Sequence, residues 1–506
     1  MRFDLYSGRF EETAINNQKL AIAASDSDLN WLEFSERVIS FAEMIDDIGI
    51  PAGHPVIIYG HKESLFIIAI TALISKDIFY IPLDTTIPTE RLRKIREISG
   101  SEVLINCTGK SIDILFSVEI TDYTAYHIFQ IPEYRTYTNG DDPIRYTIFT
   151  SGSTGEPKGV QISRSALYDF ATWMKEDFGF TDGDVFINQA PFSFDLSVFE
   201  ITCFLHLGST IVLNTNENCK NPETFIERQS RYNGSVLVST PSFVYVYLRE
   251  PAFAPSKLPS LKAFLFCGEI LPNKTAGRLL DKFNEVRVLN TYGPTEATVA
   301  TTLIEITKEI CNMYPSLPVG FSKPRSGLQI LNDSCDEKEP GEIIIYGNNV
   351  SVGYLNNPEL NREKFFVHNG KRAYCTGDVG YIFDRMLFFN GRNDEQVKLH
   401  GYRIELDEIN NHLRRIPFVD DALTVPLKKD EEVKRLISFV ILKHQMNLPQ
   451  NLSSEVLNRL SQTLPYYMLP SEIVSINEFP YNANHKIDRS KLIETYRNQK
   501  TYNKEQ

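Results

Sequence analysis

Residues 235–293 read SVLVSTPSFVYVYLREPAFAPSKLPSLKAFLFCGEILPNKTAGRLLDKFNEVRVLNTYG, and the reading of this stretch decides the fold. It contains three short apolar runs. Ser235–Ser239 ends at Thr240-Pro241, Ala263–Phe266 ends at Cys267-Gly268-Glu269, and Val286–Leu289 ends at Asn290-Thr291-Tyr292-Gly293. Short β-branched or aromatic runs bounded by turn residues predict buried strands. Between the last two, Pro272 can open a helix, and Ala276, Leu279, Leu280 and Phe283 recur at i, i+3, i+4 and i+7. Strands alternating with a helix predict an α/β fold with parallel sheets. Ligands of open parallel sheets bind beyond the carboxyl ends of the strands. The polar residues that close these runs therefore stand where a site is expected.

The rest of the chain fits this frame. Its 506 residues correspond to two to four domains at roughly 150 residues each. A net charge of −13 argues against nucleic acid or an anionic membrane as the main partner. The N-terminal MRFDLYSGRF lacks the pattern of a secretory signal, and the apolar stretch Leu65–Ile74 is well short of the ~20 residues a membrane helix needs. Seven scattered cysteines with no CxxC pair, and no HExxH-type histidine spacing, suggest neither a disulfide framework nor a structural metal. The expectation is a cytoplasmic protein with reduced thiols. Near residue 390 the patterns become shorter and more charged. Leu406, Ile409, Leu413 and Ile416 predict one helix, with Asp407 and Glu408 early and Arg414 and Arg415 late, and Val456, Leu457, Leu460 and Leu464 predict another. We expect a large N-terminal domain of parallel-type sheets with helices over 1–391 and a small, mobile α+β domain over 392–506, frayed after Tyr496.

The most informative loop is Tyr146-Thr-Ile-Phe-Thr-Ser-Gly-Ser-Thr-Gly-Glu-Pro-Lys-Gly159. Glycines let backbone N–H groups approach phosphate oxygens, hydroxyls add donors, and Lys158 adds charge. Ser163 then caps a helix with Leu167, Phe170, Ala171 and Met174 on one face. It is not a Walker A loop, because Pro157 and Gly159 flank the lysine where Gly-Lys-Ser/Thr should open a helix.

The run Thr150–Gly159 resembles the signature of the AMP-forming adenylating enzymes, which include the adenylation domains of peptide synthetases. Further blocks follow in that family's order: Phe194-Asp-Leu-Ser197, Asn290-Thr-Tyr-Gly-Pro-Thr-Glu296, Gly341–Gly347 with Gly353-Tyr-Leu355, and Tyr374-Cys-Thr-Gly-Asp378. Gly391–Lys398 with Gly401–Glu405, Leu464–Pro470 and Lys486-Ile-Asp-Arg489 complete them. Within the family, Asn188–Val198, Ser239–Phe243 and Phe266–Glu269 are similar to the D-alanine–D-alanyl carrier protein ligases.

The resemblance implies ATP and Mg²⁺ as cosubstrate and cofactor, and it implies roles for residues. Thr150, Ser151, Gly152, Ser153, Thr154, Gly155 and Lys158 would surround phosphates. Asn290, Thr291, Tyr292 and Gly293 would meet adenine, Thr295 a phosphate, and Glu296 the Mg²⁺. Asp378 would hold the ribose, with Arg392 beside it, and Asp394 matches the hinge. Lys486 resembles the catalytic lysine that bridges the substrate carboxylate and the α-phosphate. Together, Lys486, Glu296, Thr295 and Arg392 form the implied catalytic set. Two positions depart from the family pattern: His485 replaces the usual glycine before the lysine, and Cys375 stands where Arg or Lys is usual.

By the same resemblance Asp195 would pair with the ammonium of an amino acid, and Leu196, Phe199, Ser239, Leu265, Cys267, Thr291, Val299 and Ala300 would line the side-chain pocket. Bulky Phe199 and Leu265 imply a small substrate, with D-alanine favoured. No carrier segment follows Lys486–Arg489, so the expected acceptor is the phosphopantetheine thiol of a separate carrier protein, with coenzyme A as the alternative. An L-amino-acid-activating enzyme of a natural-product pathway stays open, as do, less strongly, an acyl-CoA synthetase and a non-catalytic nucleotide-binding homologue.

Overall fold

The computed structural model describes residues 2–11, 17–152, 155–332, 338–394, 396–429, 432–443, 449–480 and 487–502. They fall into two compact units. One comprises Met1–Thr85, Lys94–Phe149 and Lys158–Asp394, and the other Thr86–Arg93, Thr150–Pro157 and Glu395–Gln506.

The first unit is built on a nine-stranded sheet. From edge to edge its order is Phe321–Ser322, Thr302–Glu305, Arg287–Tyr292, Ala263–Phe266, Val236–Ser239, Val185–Asn188, Thr210–Leu213, Leu20–Ala23 and Asp28–Asn30. The strands from Leu20–Ala23 across to Arg287–Tyr292 run parallel, and both edges turn antiparallel. Strand Ala263–Phe266 is buried on both faces: Ala263 and Leu265 enter one core, Phe264 and Phe266 the other. A near-continuous apolar run is what such a doubly covered parallel strand requires.

Of the three expected strands, one is longer than the apolar run suggests. Arg287–Tyr292 continues through Asn290, Thr291 and Tyr292, which pair with Ile304, Leu303 and Thr302 of the antiparallel neighbour. That neighbour supplies ladder partners a parallel strand end would lack. The helix between them covers Asn273–Lys282 and buries Thr275, Ala276 and Leu279.

A second, eight-stranded sheet orders Gly353–Tyr354, Lys158–Ser163, Ile144–Thr150, Phe79–Asp84, Pro55–Gly60, Val103–Asn106, Val118–Ile120 and Tyr126–Ile128. Ser163 accepts the Ala166 N–H and caps the helix Arg164–Asp177, as expected. Helix Leu196–Leu207 is buried at every position, and Ser64–Ser75 at nearly every one. They share one core with Ile58 of this sheet and Val238 of the other. Helices apolar all round suit burial between layers. A third sheet pairs Lys371–Phe383 with Gly341–Gly347, Phe365–His368 and Met386–Arg392.

In the second unit, the hairpin Gln396–Leu399 and Tyr402–Glu405 turns through His400 and Gly401, both at positive φ, as a two-residue hairpin prefers. Helix Leu406–Arg414 buries Leu406, Ile409 and Leu413. Strand Glu432–Leu442 pairs antiparallel with Val419–Lys429 and parallel with Glu472–Ile476. The helix Arg489–Tyr502 runs past Tyr496, where fraying was expected. Leu492 and Tyr496, one helical turn apart, are buried with Val425 and Phe439, and Tyr496 Oη donates to Glu472 at 2.8 Å. These anchors hold the terminal helix. Among the described residues no helix is long and apolar enough to cross a membrane.

His54 gives the first unit a pH dependence. Fully buried, it places Nδ1 2.8 Å from the Arg135 carbonyl while Nε2 accepts the Glu102 N–H at 3.4 Å. A ring that accepts at Nε2 is neutral. Burial holds the pKa of His54 down to about 4 from 6.5, and that of His206 likewise. Between those values the unfolded chain binds more protons than the native one, so stability falls as pH drops through the window. The urea midpoint should therefore be lower at pH 5 than at pH 7, and His54→Gln should narrow that difference. The same pH dependence in the variant would contradict a neutral, buried His54.

Candidate active site

The centre of the site is the turn that leaves strand Arg287–Tyr292. The chain passes Gly293 and Pro294 and makes a 3₁₀ turn at Thr295–Ala297. It then doubles back so closely that a Cβ on Gly293 would lie 2.6 Å from Ala300 Cα. Thr298 and Val299 follow at φ 52° and 68°. Non-glycine residues in this region cost about 1–3 kcal/mol each.

Two side chains project from the turn to separate elements. Thr295 Oγ1 donates to Asp195 Oδ2 at 2.6 Å. Asp195 stands at the start of helix Leu196–Leu207 but makes no capping bond with its side chain. Glu296 is fully buried, and its Oε1 accepts the Tyr354 hydroxyl at 2.8 Å, with Lys158 Nζ 3.9 Å away. The Tyr354 and Tyr374 hydroxyls are 3.2 Å apart.

A second cluster forms across a strand pair. Register places Asp378 opposite Arg392, and their side chains form a salt bridge. The other Asp378 oxygen accepts the Tyr292 hydroxyl at 2.6 Å. Burial, and then the Asp378 charge, push the Tyr292 hydroxyl well above its usual pKa. Arg392 also grips Asp394 through Nε and a terminal nitrogen, at 2.7 and 2.6 Å. Asn290 Nδ2 donates to the Pro318 carbonyl at 2.9 Å, while its buried Oδ1 meets no donor among the described residues. Thr291 Oγ1 donates to the Phe266 carbonyl at 2.7 Å.

The expected pocket residues are all buried. Cys267 Sγ lies 3.8 Å from the Val299 carbonyl, which joins the end of strand Ala263–Phe266 to the strained turn. Leu196, Leu265, Val299 and Ala300 belong to the same core as Cys267. Phe199 stacks edge-on against Phe170, centroids 5.2 Å apart, and Ser239 Oγ donates to the Thr240 carbonyl at 2.8 Å.

The Gly-rich loop belongs to the second unit. Ser151 Oγ donates to the Arg403 carbonyl at 2.9 Å and accepts the Glu405 N–H at 3.1 Å. Gly152 N–H donates to Glu408 Oε2 at 3.0 Å, and Glu408, fully buried, pairs with Arg91. A Cβ on Gly155, which stands at φ +83°, would lie 3.2 Å from the Asn411 side chain. Thr150 Oγ1 has no partner among the described residues. Ser153, Thr154, His485 and Lys486 lie outside the described residues.

Lys62 was not singled out by the sequence. It follows strand Pro55–Gly60 as an apparent loop lysine, yet it is buried. Its Nζ donates to Asn188 Oδ1 and to the Ala190 carbonyl, and lies 4.4 Å from the Phe192 ring centre. Asn188 in turn donates to Glu200 at 3.2 Å. Desolvation brings Lys62 down to about 8 and Glu200 up to about 8. This network underlies the segment that leads to Asp195, and no periodicity or motif could have revealed it.

A model of the AMP-binding enzyme family matches residues 10–355, and one of the AMP-binding enzyme C-terminal domain matches 408–486. The D-alanine–D-alanyl carrier protein ligase of Bacillus cereus (strain AH187) is 39% identical over 495 residues, covering 96% of this chain and 98% of that protein. The enzyme of the same name from Bacillus anthracis (strain A0248) is 39% identical over 494 residues, with the same shares covered. Among solved structures, a Vibrio cholerae adenylation domain in complex with glycyl-adenosine-5'-phosphate superposes with a TM-score of 0.81 at 24% identity, covering 96% of this chain and 95% of that one. The o-succinylbenzoate CoA synthetase of Bacillus subtilis gives 0.80 at 21% identity, covering 94% and 95%. At these identities the two structures establish the fold.

Asp378 is the shared acceptor for Tyr292 and Arg392, so its removal takes the 2.6 Å acceptor from the buried Tyr292 hydroxyl and leaves Arg392 with Asp394 as its remaining carboxylate. Asp378→Ala should lower the unfolding free energy by about 1–3 kcal/mol, read as a shift of the urea midpoint. An unchanged midpoint would show that the pair contributes nothing to folding.

Proposed function

This chain belongs to the AMP-binding enzyme family, and we propose that it activates D-alanine with ATP to D-alanyl-AMP and pyrophosphate, then transfers the aminoacyl group to the phosphopantetheine thiol of a separate carrier protein. The observation that carries the reading is the Asp195–Thr295 contact. It sets a carboxylate that could pair with a substrate ammonium beside the turn bearing Glu296, and the 39% identity to carrier protein ligases supports it over the whole length.

The chemistry brings two anions together, a substrate carboxylate and the α-phosphate of ATP. Fixed charge and alignment supply most of the acceleration in such a step. Asp195 orients the amino acid by its ammonium, so substrates lacking the amine leave a carboxylate unpaired and are disfavoured. Asp378, braced by Arg392, accepts the ribose hydroxyls. Tyr292 and the Asn290 Oδ1, which meets no donor among the described residues, suit the adenine face and its amino edge.

Mg²⁺ fits this site. Among the described residues no cluster of three or more His, Cys, Asp or Glu converges, but Mg²⁺ is commonly held by one or two carboxylates together with substrate phosphates and water. Glu296 would be that carboxylate, and the ion would neutralise phosphate charge and aid pyrophosphate departure. Lys486 would bridge the carboxylate and α-phosphate, and Ser151, Gly152, Gly155 and Lys158 would surround the phosphates. In this reading the domain boundary lies at 391/392, Asp394 is the hinge, and the small domain alternates between adenylation and thioester transfer. A reaction drawing on ATP is assigned to the cytoplasm.

Amino-acid-dependent ATP–pyrophosphate exchange with glycine and both isomers of alanine, serine and proline tests the proposal. D-alanine should give the highest kcat/KM, and preference for an L-amino acid would move the protein to natural-product assembly. Lys486→Ala should lower exchange roughly 10²–10³-fold with ATP binding retained; unchanged exchange would remove Lys486 from the mechanism. Asp195→Ala should raise the KM for D-alanine roughly 10²-fold and leave that for ATP within a few-fold. Equal losses for both substrates would argue against Asp195 as the amine's partner.

A further inference from the structure

One side chain holds the strained turn from behind. Asn349 is fully buried; its Nδ2 donates to the Ala297 carbonyl at 3.1 Å and to Thr301 Oγ1 at 2.9 Å. Its Oδ1 accepts the Ser326 hydroxyl at 2.6 Å, and its own carbonyl accepts Thr298 Oγ1 at 2.7 Å. The neighbouring Ser351 N–H donates to the Glu296 carbonyl at 2.9 Å. Asn349 thus bonds the chain on both sides of Thr298-Val299, the two β-branched residues at positive φ.

We infer that Asn349 is a positioning residue: it locks Thr298 and Val299 in the left-handed conformation and thereby sets, at once, the carboxylate Glu296 and the pocket wall Val299. Such a backbone persists only where its surroundings over-determine it, and here the bonds to residues 297, 298 and 301 do so. Relaxation of either φ would withdraw the Val299 carbonyl from Cys267 Sγ and would tilt the 3₁₀ turn that presents Thr295 to Asp195 and Glu296 to Tyr354. A residue that only lined the pocket would affect amino-acid use alone. A clamp on the whole turn affects metal-nucleotide and amino-acid use together, and blurs the choice between isomers.

The inference rests on the proposed adenylation reaction, and the tests separate the two. In pyrophosphate exchange, Asn349→Ala should lower kcat/KM for D-alanine by up to roughly 10²-fold, as a misplacement of about 1 Å can. It should also raise the KM for ATP and narrow the preference for D- over L-alanine. Asn349→Asp keeps the acceptor for Ser326 but loses both donors and sets a buried carboxylate against the Ala297 carbonyl, so it should be at least as impaired as Asn349→Ala. Glycine takes positive φ without strain, so Thr298→Gly added to Asn349→Ala should recover part of the lost kcat and melting temperature. Wild-type kcat/KM and selectivity in folded Asn349→Ala, whatever its melting temperature, would overturn the inference. If the wild-type chain exchanges no pyrophosphate with any amino acid, the adenylation reading fails. The clamp is then read from Mg²⁺-dependent ATP affinity by calorimetry, where equal affinities of wild type and Asn349→Ala would overturn it.

Discussion

The hydrogen bond from Thr295 to Asp195 ties together two segments that leave the same sheet at its carboxyl edge. Asn188 ends one parallel strand and leads to Asp195; Tyr292 ends another and leads to Thr295. Neither segment has a regular ladder beyond its strand, so each must find other partners for its polar groups. The first finds them in Lys62, which crosses from the end of Pro55–Gly60 to the Ala190 carbonyl. The second finds them in Asn349, and in the antiparallel strand Thr302–Glu305 that extends Arg287–Tyr292 to its last polar residue. The site is therefore a place where two loops that cannot satisfy themselves are satisfied by buried side chains from elsewhere. That arrangement is rigid, and rigid placement of charge is what the proposed reaction needs.

Much of this was legible because it obeys period and punctuation. Ala263–Phe266 was read to the residue, since both of its faces are covered and the run is apolar without interruption. Ser163 was read as a cap because a hydroxyl preceded a helical stripe. Asn290-Thr-Tyr-Gly-Pro-Thr-Glu296 pointed to the site through family resemblance. What stayed hidden was tertiary. Lys62 and Asn349 sit in polar local sequence, and only the fold buries them. The continuation of Arg287–Tyr292 depended on an antiparallel neighbour that propensity cannot see. The helix through Tyr502 depended on two anchors, Leu492 and Tyr496, in a composition that reads as solvated.

The Gly-rich loop teaches something different. Its donors were assigned to phosphate on chemical grounds, and in the second unit Gly152 N–H points at the carboxylate of Glu408. A backbone N–H that takes a buried carboxylate is one suited to a phosphate oxygen, because both are anions with accepting oxygens. Glu408 does not stand alone as a buried charge, since Arg91 neutralises it.

The strained pair at Thr298 and Val299 shows which demand prevails at this turn. Glycine at either position would adopt the observed φ without steric penalty. It would also remove the hydroxyl that Thr298 gives to the Asn349 carbonyl, and the isopropyl group that Val299 sets in the core beside Cys267. Gly293, six residues before Val299, is glycine for the opposite reason: no Cβ fits against Ala300. The chain therefore uses glycine where space forbids a side chain and keeps β-branched residues where a side chain is used, accepting backbone strain there. The strain is retained beside Glu296 and Thr295, where the same two side chains that hold the core also fix the shape of the site.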